Sequence, residues 1–477
     1  LRFFAAVFHG YPVKLTIKFE VEETTQLRSN KIMKQEIFDL ASSFSLPRDV
    51  KVPTHQELIK ELKKLESAFP GQIRLSFDGQ SRKGKNLICV EIGNGERAIG
   101  ITAGAHSDEP TGTVTSLYFA KALLENEKFK PLLQKFSFII HPMIDPDGAE
   151  VNYAWASKEF SYREYFKLNY RNTIPGEDCE HGIPVAGDQT IRPELAFFKK
   201  NIDRYKGRMD FYITLHTTHR LGGSLFVVEA KEGNYSDKFK VLTKACSDFG
   251  IPITDLDLHG QDGMDSLAPG FIKAPSMASV AENYKDNPEI LSKIKMTTYE
   301  YAQHELGTSF CLISELPYIV DEILADTGET EVDLTEVKMR DLKRKKKRAA
   351  QLQVAVEELK SLGITDENIW FRNALFTVKV IDKINQAHEK QIETFKGIKA
   401  KNYDVNDGDI MDLEEELKIP TLYMNCLRGK TEHQILFDRH EKEFNKIADK
   451  LDSLMKYKVV PLEVQVRVQV AMILAGI

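Results

Sequence analysis

Residues 98–125 read AIGITAGAHSDEPTGTVTSLYFAKALLE, and this stretch sets the reading of the whole chain. The apolar run from Ala98 to Thr102 predicts a buried strand. Ala-His then opens a polar turn, and from about Pro110 to Glu125 the apolar residues recur at helical spacing. Within the turn, His106 and Glu109 stand three positions apart, one at a strand end and the other at a helix start. An imidazole and a carboxylate so placed converge on one point, which suits a metal ion. The bland alternative is a helix cap, with Glu109 favoured by the dipole at the helix start.

The chain before this stretch is simple to read. Thr54 and Glu57 form a capping box, and Leu58, Leu62, Leu65 and Phe69 follow at helical spacing, so a helix is expected from about Thr54 to Phe69. Ile73 to Phe77 and Leu87 to Ile92 predict strands. Asn94-Gly95 is a hairpin-turn signal and is expected to join the second of these to the strand at Ala98.

After the stretch, Phe136 to Ile140 predicts a buried strand running towards Met143 and terminated by Asp145-Pro146-Asp147-Gly148. Residues 150–190 read as irregular and polar, with Arg163, Asn169, Arg171 and Asn172 among aromatics. A loop that long inside a compact domain is usually functional. Pro193 opens a helix to about Tyr205. Asp210 to Leu215 is a strand with His216 at its end. Leu225 to Val228 and Phe310 to Ser314 are further strands, with a helix at Ser236 to Phe249 between them, and Glu315 ends the last strand. Helices alternating with buried strands imply an α/β sheet with helices on both faces, whose ligand sites gather at strand ends.

Beyond about Asp326 the character changes. Long helical patterns cover Thr335 to Leu362, closed by Gly363, then Ile369 to Phe395 and Gln434 to Met455. Leu462, Val464, Val466, Val468 and Val470 alternate strictly, which predicts a strand over Pro461 to Leu474. The expected division is an N-terminal extension at 1–52, partly unstructured, an α/β domain at 53–330 and a mainly helical appendage at 331–477. Within the extension, Met33 reads as a natural start, with residues 1–32 preceding it.

Charged residues make up 29% of the 477 and the formal net charge is -6, so the chain as a whole does not attract nucleic acid or anionic membranes. The basic run Lys343 to Arg348 lacks aromatic interleaving and reads as a solvated helix face. No apolar run approaches a bilayer span. The five cysteines are scattered without CxxC spacing, as in a reducing, cytoplasmic setting. There is no HExxH, no GxSxG elbow, no P-loop and no dinucleotide fingerprint, which leaves metal-assisted hydrolysis. Catalytic zinc takes three protein ligands from His and carboxylate side chains. The candidates are His106, Glu109 and His216.

At this point the chain resembles the zinc metallocarboxypeptidase family of the carboxypeptidase A and B type, over about residues 53–330. Gly79-Gln80-Ser81-Arg82-Lys83-Gly84-Lys85 is similar to the family's G-x-S-x-x-G-R segment. His106-Ser107-Asp108-Glu109 matches its H-x-x-E ligand pair, and Asp145-Pro146-Asp147-Gly148 its N-P-D-G turn. Leu168-Asn169-Tyr170-Arg171-Asn172 resembles its L-N-R-N element, Leu215-His216 its third ligand and Ser314-Glu315-Leu316 its catalytic glutamate. Six matches in order are more specific than any one. Asp145 replaces Asn, Tyr170 intrudes into N-R-N, and Asp108 stands where digestive enzymes carry Arg, which would alter a subsite charge.

The resemblance implies a mixed central sheet, one Zn2+ per chain, and a peptide substrate with a free C-terminal carboxylate. Glu315 is then the general base, Arg171 with Asn169 or Asn172 binds the carboxylate, Arg163 is the candidate for the oxyanion, and Tyr301, or Tyr299, for the family's mobile tyrosine. Glu300 is a candidate specificity residue, as are Asp262, Asp265 and the loop from Gly263 to Gly270. No nucleic-acid or membrane partner is expected, and the oligomeric state is open. Two rivals remain: a zinc amidohydrolase acting on small N-acyl amino acids, and a non-catalytic peptide-binding or scaffolding protein.

Overall fold

In the computed structural model, residues 39–477 are described except 42, 175–176, 185–190, 232, 234, 257–263, 276–280 and 282–294. The N-terminal residues 1–38, with the expectation about Met33, therefore lie outside the described residues, as do Asp262 and Gly263.

Thr54 caps the first helix, α1 (His55–Ala68): its hydroxyl accepts from the Glu57 amide while the Glu57 carboxylate accepts from Thr54 N. The apolar stripe Leu58, Leu62 and Leu65 turns inward. The strands that follow are β1 (Ile73–Ser76), β2 (Cys89–Ile92), β3 (Arg97–Ala103) and β4 (Phe136–His141), with α2 (Thr111–Glu125) and α3 (Lys130–Lys135) between β3 and β4. Next come α4 (Pro146–Ala156), α5 (Tyr162–Leu168), α6 (Pro193–Ile202), β5 (Met209–Leu221), β6 (Leu225–Ala230) and α7 (Ser236–Asp248). β7 (Ser266–Ala268), β8 (Phe271–Lys273), α8 (Thr298–His304) and β9 (Phe310–Asp321) complete this part.

Nine strands lie side by side in the order β1-β2-β4-β3-β5-β9-β6-β8-β7, and β12 (Tyr457–Val459), paired to β9, makes this a 10-stranded sheet. The sheet is mixed. β3 runs parallel to β4 and β5, and β5 runs parallel to β9, whereas β2 with β4 and β6 with β9 are antiparallel. The expected α/β class, with helices on both faces, is what the chain adopts. Alternation along the strands explains it. Ile99, Ile101, Phe138, Ile140 and Ile213 face one core with α1, α2 and α7. Ala98, Ile139, Tyr212 and Ile313 face the other, with α6 and α8.

Four expectations are corrected here. Asn94-Gly95 does not close a hairpin, because β4 lies between β2 and β3. Asp145 and Pro146 do not merely end a strand: Asp145 caps α4, its carboxylate accepting from Gly148 N. The region 150–190 is not irregular throughout, since α4 and α5 occupy its first part. The C-terminal segment is a helix, α14 (Leu462–Gly476), buried nearly all round.

After β9, a small two-stranded sheet pairs β10 (Glu329–Asp333) with β11 (Lys399–Lys401). The helical layer consists of α9 (Leu334–Ser361), α10 (Ile369–Ile392), the short α11 (Asn402–Asn406), α12 (Gly408–Leu427) and α13 (Gln434–Leu454). α12 contains Pro420 and was not signalled by sequence. Ile410, Leu413 and Leu417 of α12 and Phe444 of α13 pack with Tyr162 and Ile319 of the sheet-bearing part. Arg220, on β5 and 6% exposed, pins the layer further. It donates to Asp321 at 2.9 Å, Asp407 at 2.6 Å and Glu414 at 2.9 Å. Residues 457–476 then return to the sheet: β12 extends β9, and α14 joins the core that holds α1, α2 and α7.

Candidate metal centre

β3 ends at Ala103, and the next residue, Gly104, has φ 64. This left-handed conformation is open to glycine at little cost, and it releases the chain from the sheet just before His106. α2 begins at Thr111 and lies close against β5: a Cβ on Gly112 would stand 2.7 Å from the Leu215 carbonyl oxygen. That approach brings Glu109, immediately before the helix, beside His216.

His216 and Glu315 are not strand-end residues, because β5 and β9 continue to Leu221 and Asp321. What ends there is β3, whose last partner on β5 is Leu215, one residue short of His216. The site therefore sits where the sheet narrows. His216 and Glu315 are direct partners across the parallel β5–β9 pair, so both side chains leave the same face.

Nδ1 of His106 lies 3.0 Å from Glu109 Oε1, and Nδ1 of His216 lies 2.6 Å from Oε2 of the same carboxylate. One ligand atom from each of the three lies within 4.8 Å of the others. His216 and Glu109 are each 2% exposed. The outer ring nitrogens have partners of their own. His106 Nε2 stands 3.4 Å from Asp178 Oδ2. His216 Nε2 stands 2.8 Å from Thr214 Oγ1 and 3.4 Å from Glu180 Oε2. A carboxylate behind each histidine is the usual way to fix the tautomer and orientation of a metal ligand.

The electrostatics fit a cation. Burial opposes charge on His106, but Glu109 and Asp178 outweigh it and push the imidazole up to about 10. Burial likewise opposes His216, which Glu109 and Glu180 nevertheless raise well above its ordinary value. Glu109, despite burial, is held well below the carboxylate range by His106, Arg171 and His216. Two imidazoles and a carboxylate in a field this negative are a donor set for Zn2+.

Glu315 differs. Its carboxylate has no hydrogen bond or ion pair among the described residues, and burial together with Glu109 raises it to about 7, against His216, His106 and Arg171. A group poised near neutrality and free of fixed partners suits proton transfer.

Arg171 also reaches the centre, donating from Nε to Asp108 at 2.8 Å and from Nη2 to Glu109. Asp108 is 1% exposed and accepts from the Tyr165 hydroxyl, so it is the buried counter-ion of Arg171 and does not line a subsite. The other expected site residues fall elsewhere. Arg163 sits on α5 and turns to α13, where it pairs with Asp449 at 2.7 Å and Asp452 at 2.6 Å. The Tyr301 hydroxyl is bound to Lys199 and Asp203, and that of Tyr299 to the Pro275 carbonyl. Asn172 shapes its own loop, accepting from Ile174 N and donating to Glu177. Asn169 follows α5 as its C-cap. Glu300 completes the capping box of α8 with Thr297.

Sequence reasoning missed Asp178, Glu180 and His181. Their signal was the run Asp178-Cys179-Glu180-His181, two carboxylates and an imidazole inside the supposed loop. It also missed Gln469 of α14, which donates to the His216 carbonyl at 3.2 Å and accepts from Thr115 of α2 at 2.6 Å. Ser314 brackets the same residue from β9, accepting from His216 N and donating to His216 O.

On this mixed α/β sheet, a buried pair of imidazoles and a carboxylate, faced by an unpaired glutamate, form a donor set that could hold a metal ion. Residues 58–181 match the sequence model of the family described as zinc carboxypeptidase. The chain is 24% identical over 189 residues to zinc carboxypeptidase A 1 of Anopheles gambiae, covering 35% of this chain and 43% of that protein. It is 30% identical over 95 residues to carboxypeptidase D of Drosophila melanogaster, covering 18% and 7%. The chain thus spans under half the length of these curated relatives. Among solved structures, carboxypeptidase A from Helicoverpa armigera is similar with a TM-score of 0.38 and 15% identity, over 62% of this chain and 72% of that one. No helix of the described residues is long and apolar enough to cross a membrane.

Proposed function

We propose that this chain is a zinc-dependent metallocarboxypeptidase that hydrolyses the C-terminal peptide bond of peptides. The observation that carries the reading is the convergence of His106, Glu109 and His216, with Glu315 directly opposite His216 in the sheet. The family match over residues 58–181 supports it.

In this reading His106, Glu109 and His216 hold one Zn2+, which supplies Lewis acidity and makes water reactive near neutral pH. Glu315 takes the proton of the attacking water and returns it to the amine that leaves. Asp178 and Glu180 keep the two imidazoles oriented, with Thr214 assisting on His216. Arg171 is the candidate for the substrate's terminal carboxylate, because its guanidinium carries donors beyond the two used on Asp108 and Glu109. Arg163 and Tyr301 take no part, since their polar ends are committed to Asp449, Asp452, Lys199 and Asp203.

The test compares zinc-loaded protein on a blocked dipeptide with a free carboxylate and on an N-acyl amino acid, with and without chelator. Chelator-sensitive release of the C-terminal residue from the dipeptide is expected. Exclusive turnover of the N-acyl amino acid would assign the amidohydrolase chemistry instead. Turnover of neither, with no zinc in the protein, would return it to the binding or scaffolding class.

A further inference from the structure

Helix α14 returns to the sheet behind the metal centre, and polar contacts fix it there. Gln465 and Gln469 stand one turn apart and are 2% and 0% exposed. They meet Thr111 and Thr115, one turn apart on α2, whose hydroxyls donate to Gln465 Oε1 at 2.8 Å and to Gln469 Oε1 at 2.6 Å. At the far end of the helix, Lys238 of α7 donates to the carbonyls of Ala475 at 2.9 Å and Gly476 at 2.8 Å, and Gly476 lies against the Phe211 ring of β5. Buried polar groups are costly unless they are paired, so these contacts hold α14 in one register along α2.

The two glutamines differ in what their amide nitrogens hold. Gln465 Nε2 donates to the Val460 carbonyl, just before its own helix, at 2.9 Å. Gln469 Nε2 donates to the His216 carbonyl and to Ser314 Oγ, each at 3.2 Å. A carbonyl only accepts, which fixes the orientation of the amide and leaves its Oε1 for Thr115. Ser314 Oγ in turn accepts from His216 N at 3.0 Å and donates to His216 O at 2.8 Å. Both amide hydrogens of Gln469 and both lone pairs of the His216 carbonyl are thus used. A buried network closed in this way rigidifies what it joins. Here it joins His216 on β5 to the neighbour of Glu315 on β9, at the rung where His216 and Glu315 are direct partners. β3, on the other side of β5, pairs only as far as Leu215, so the Gln469 clamp falls on the first residue of β5 that the sheet holds through β9 alone.

Phe310 and Leu312 of β9 lie in the core that holds α14, and alternation along the strand puts Ser314 on that face and Glu315 on the opposite one. Gln469 therefore acts from behind the sheet, out of reach of metal and substrate. Resting on the reading of His106, Glu109 and His216 as metal ligands, we propose that Gln469 is a positioning residue of the metal centre. It sets the backbone of the His216–Glu315 rung, and with it the reach of His216 Nδ1 towards the metal and of Glu315 towards the attacking water. The return segment 457–476 belongs on this account to the catalytic unit and not to the helical layer, and the metal centre is complete only with α14 docked.

Gln465 is the matched control, a glutamine on the same helix with the same kind of bond to α2 and, among the described residues, no hydrogen bond to β5 or β9. Full-length Gln469→Met and Gln465→Met proteins are compared by urea unfolding of the metal-free form, by zinc competition against a chromophoric chelator and by the visible absorption of the Co2+-substituted form. Both should lose stability, since each loses buried hydrogen bonds. Gln469→Met alone should shift the Co2+ bands and raise the zinc dissociation constant about tenfold, the lower end of the range for residues behind a metal ligand, with Gln465→Met staying within about twofold of wild type. If Gln469→Met does not fold, Thr115→Val against Thr111→Val removes the same two anchors from α2 and should give about a threefold rise against no change. A zinc affinity within about twofold of wild type in Gln469→Met, or equal losses within either matched pair, would overturn the proposal. Wild-type protein that binds no zinc would instead overturn the metal-centre reading beneath it.

Discussion

Asp178 and Glu180 each stand behind a different ligand histidine, so the pair offers a graded perturbation. Changing Asp178 to Asn keeps the shape and removes the charge behind His106 Nε2, which has Asp178 as its side-chain partner at 3.4 Å. Changing Glu180 to Gln does the same behind His216, but there Thr214 Oγ1 remains 2.8 Å from Nε2. Loss of such an outer partner typically costs 10–100-fold in metal affinity, about 1.4–2.7 kcal/mol. The structure places Asp178→Asn near the upper end and Glu180→Gln near the lower. The two rings share Glu109 and stand 4.7 Å apart between centroids, so the double variant should depart from the sum of the single effects by about 0.5–3 kcal/mol. The assay is zinc competition against a chromophoric chelator, with circular dichroism to show that the fold is kept. A change below about threefold in Asp178→Asn, or a larger loss in Glu180→Gln, would refute the argument that these carboxylates orient the ligands.

Four other outcomes follow from the geometry. Arg220→Met leaves Asp321, Asp407 and Glu414 buried without their cation and should destabilise the protein by about 3–5 kcal/mol, measured by urea unfolding. Glu414 is held at about 2 by His219 and Arg220 despite burial. A depressed carboxylate stabilises above its unfolded value and stops doing so as pH falls through its folded one, so wild-type stability should decline between about pH 4.5 and 2. Gly112→Ala forces a methyl group to 2.7 Å from the Leu215 carbonyl and should cost about 1–3 kcal/mol, seen as a lower Tm. The acid limb of kcat/KM should lie at or below pH 7, because Glu315 acts as a base only when ionised, burial and Glu109 raise it to about 7, and a bound cation opposes that rise. A limb above pH 8 would exclude Glu315 as the titrating base.

The centre was legible because its chemistry is local where it matters. His106 and Glu109 are joined by one turn, and His216 and Glu315 follow apolar runs that can only be buried strands. The capping box at Thr54 and Glu57 was legible for the same reason. What escaped was non-local. Asn94-Gly95 is a sound turn signal, yet β4, more than forty residues later, inserts between the strands that it separates. Leu462 to Val470 alternate like a strand, but α14 is buried on nearly all sides, and a helix with no solvent face shows no helical period. Its polar members Gln465 and Gln469 are four apart and meet Thr111 and Thr115, a spacing that signals a helix. Arg163 had the right type and roughly the right place, but one face of α5 looks to α13 and not to the centre. Nothing in its neighbourhood announces that Asp449 and Asp452 wait on the facing helix.

The proposed division of labour in the centre has Glu315 moving a proton while His106, Glu109 and His216 hold zinc. Glu315→Gln protein, assayed for zinc by elemental analysis and for release of the C-terminal residue from a blocked dipeptide, separates the two roles. The account predicts about one zinc per chain and a turnover lower by about 10²–10⁴-fold. Substantial turnover with zinc bound would contradict it.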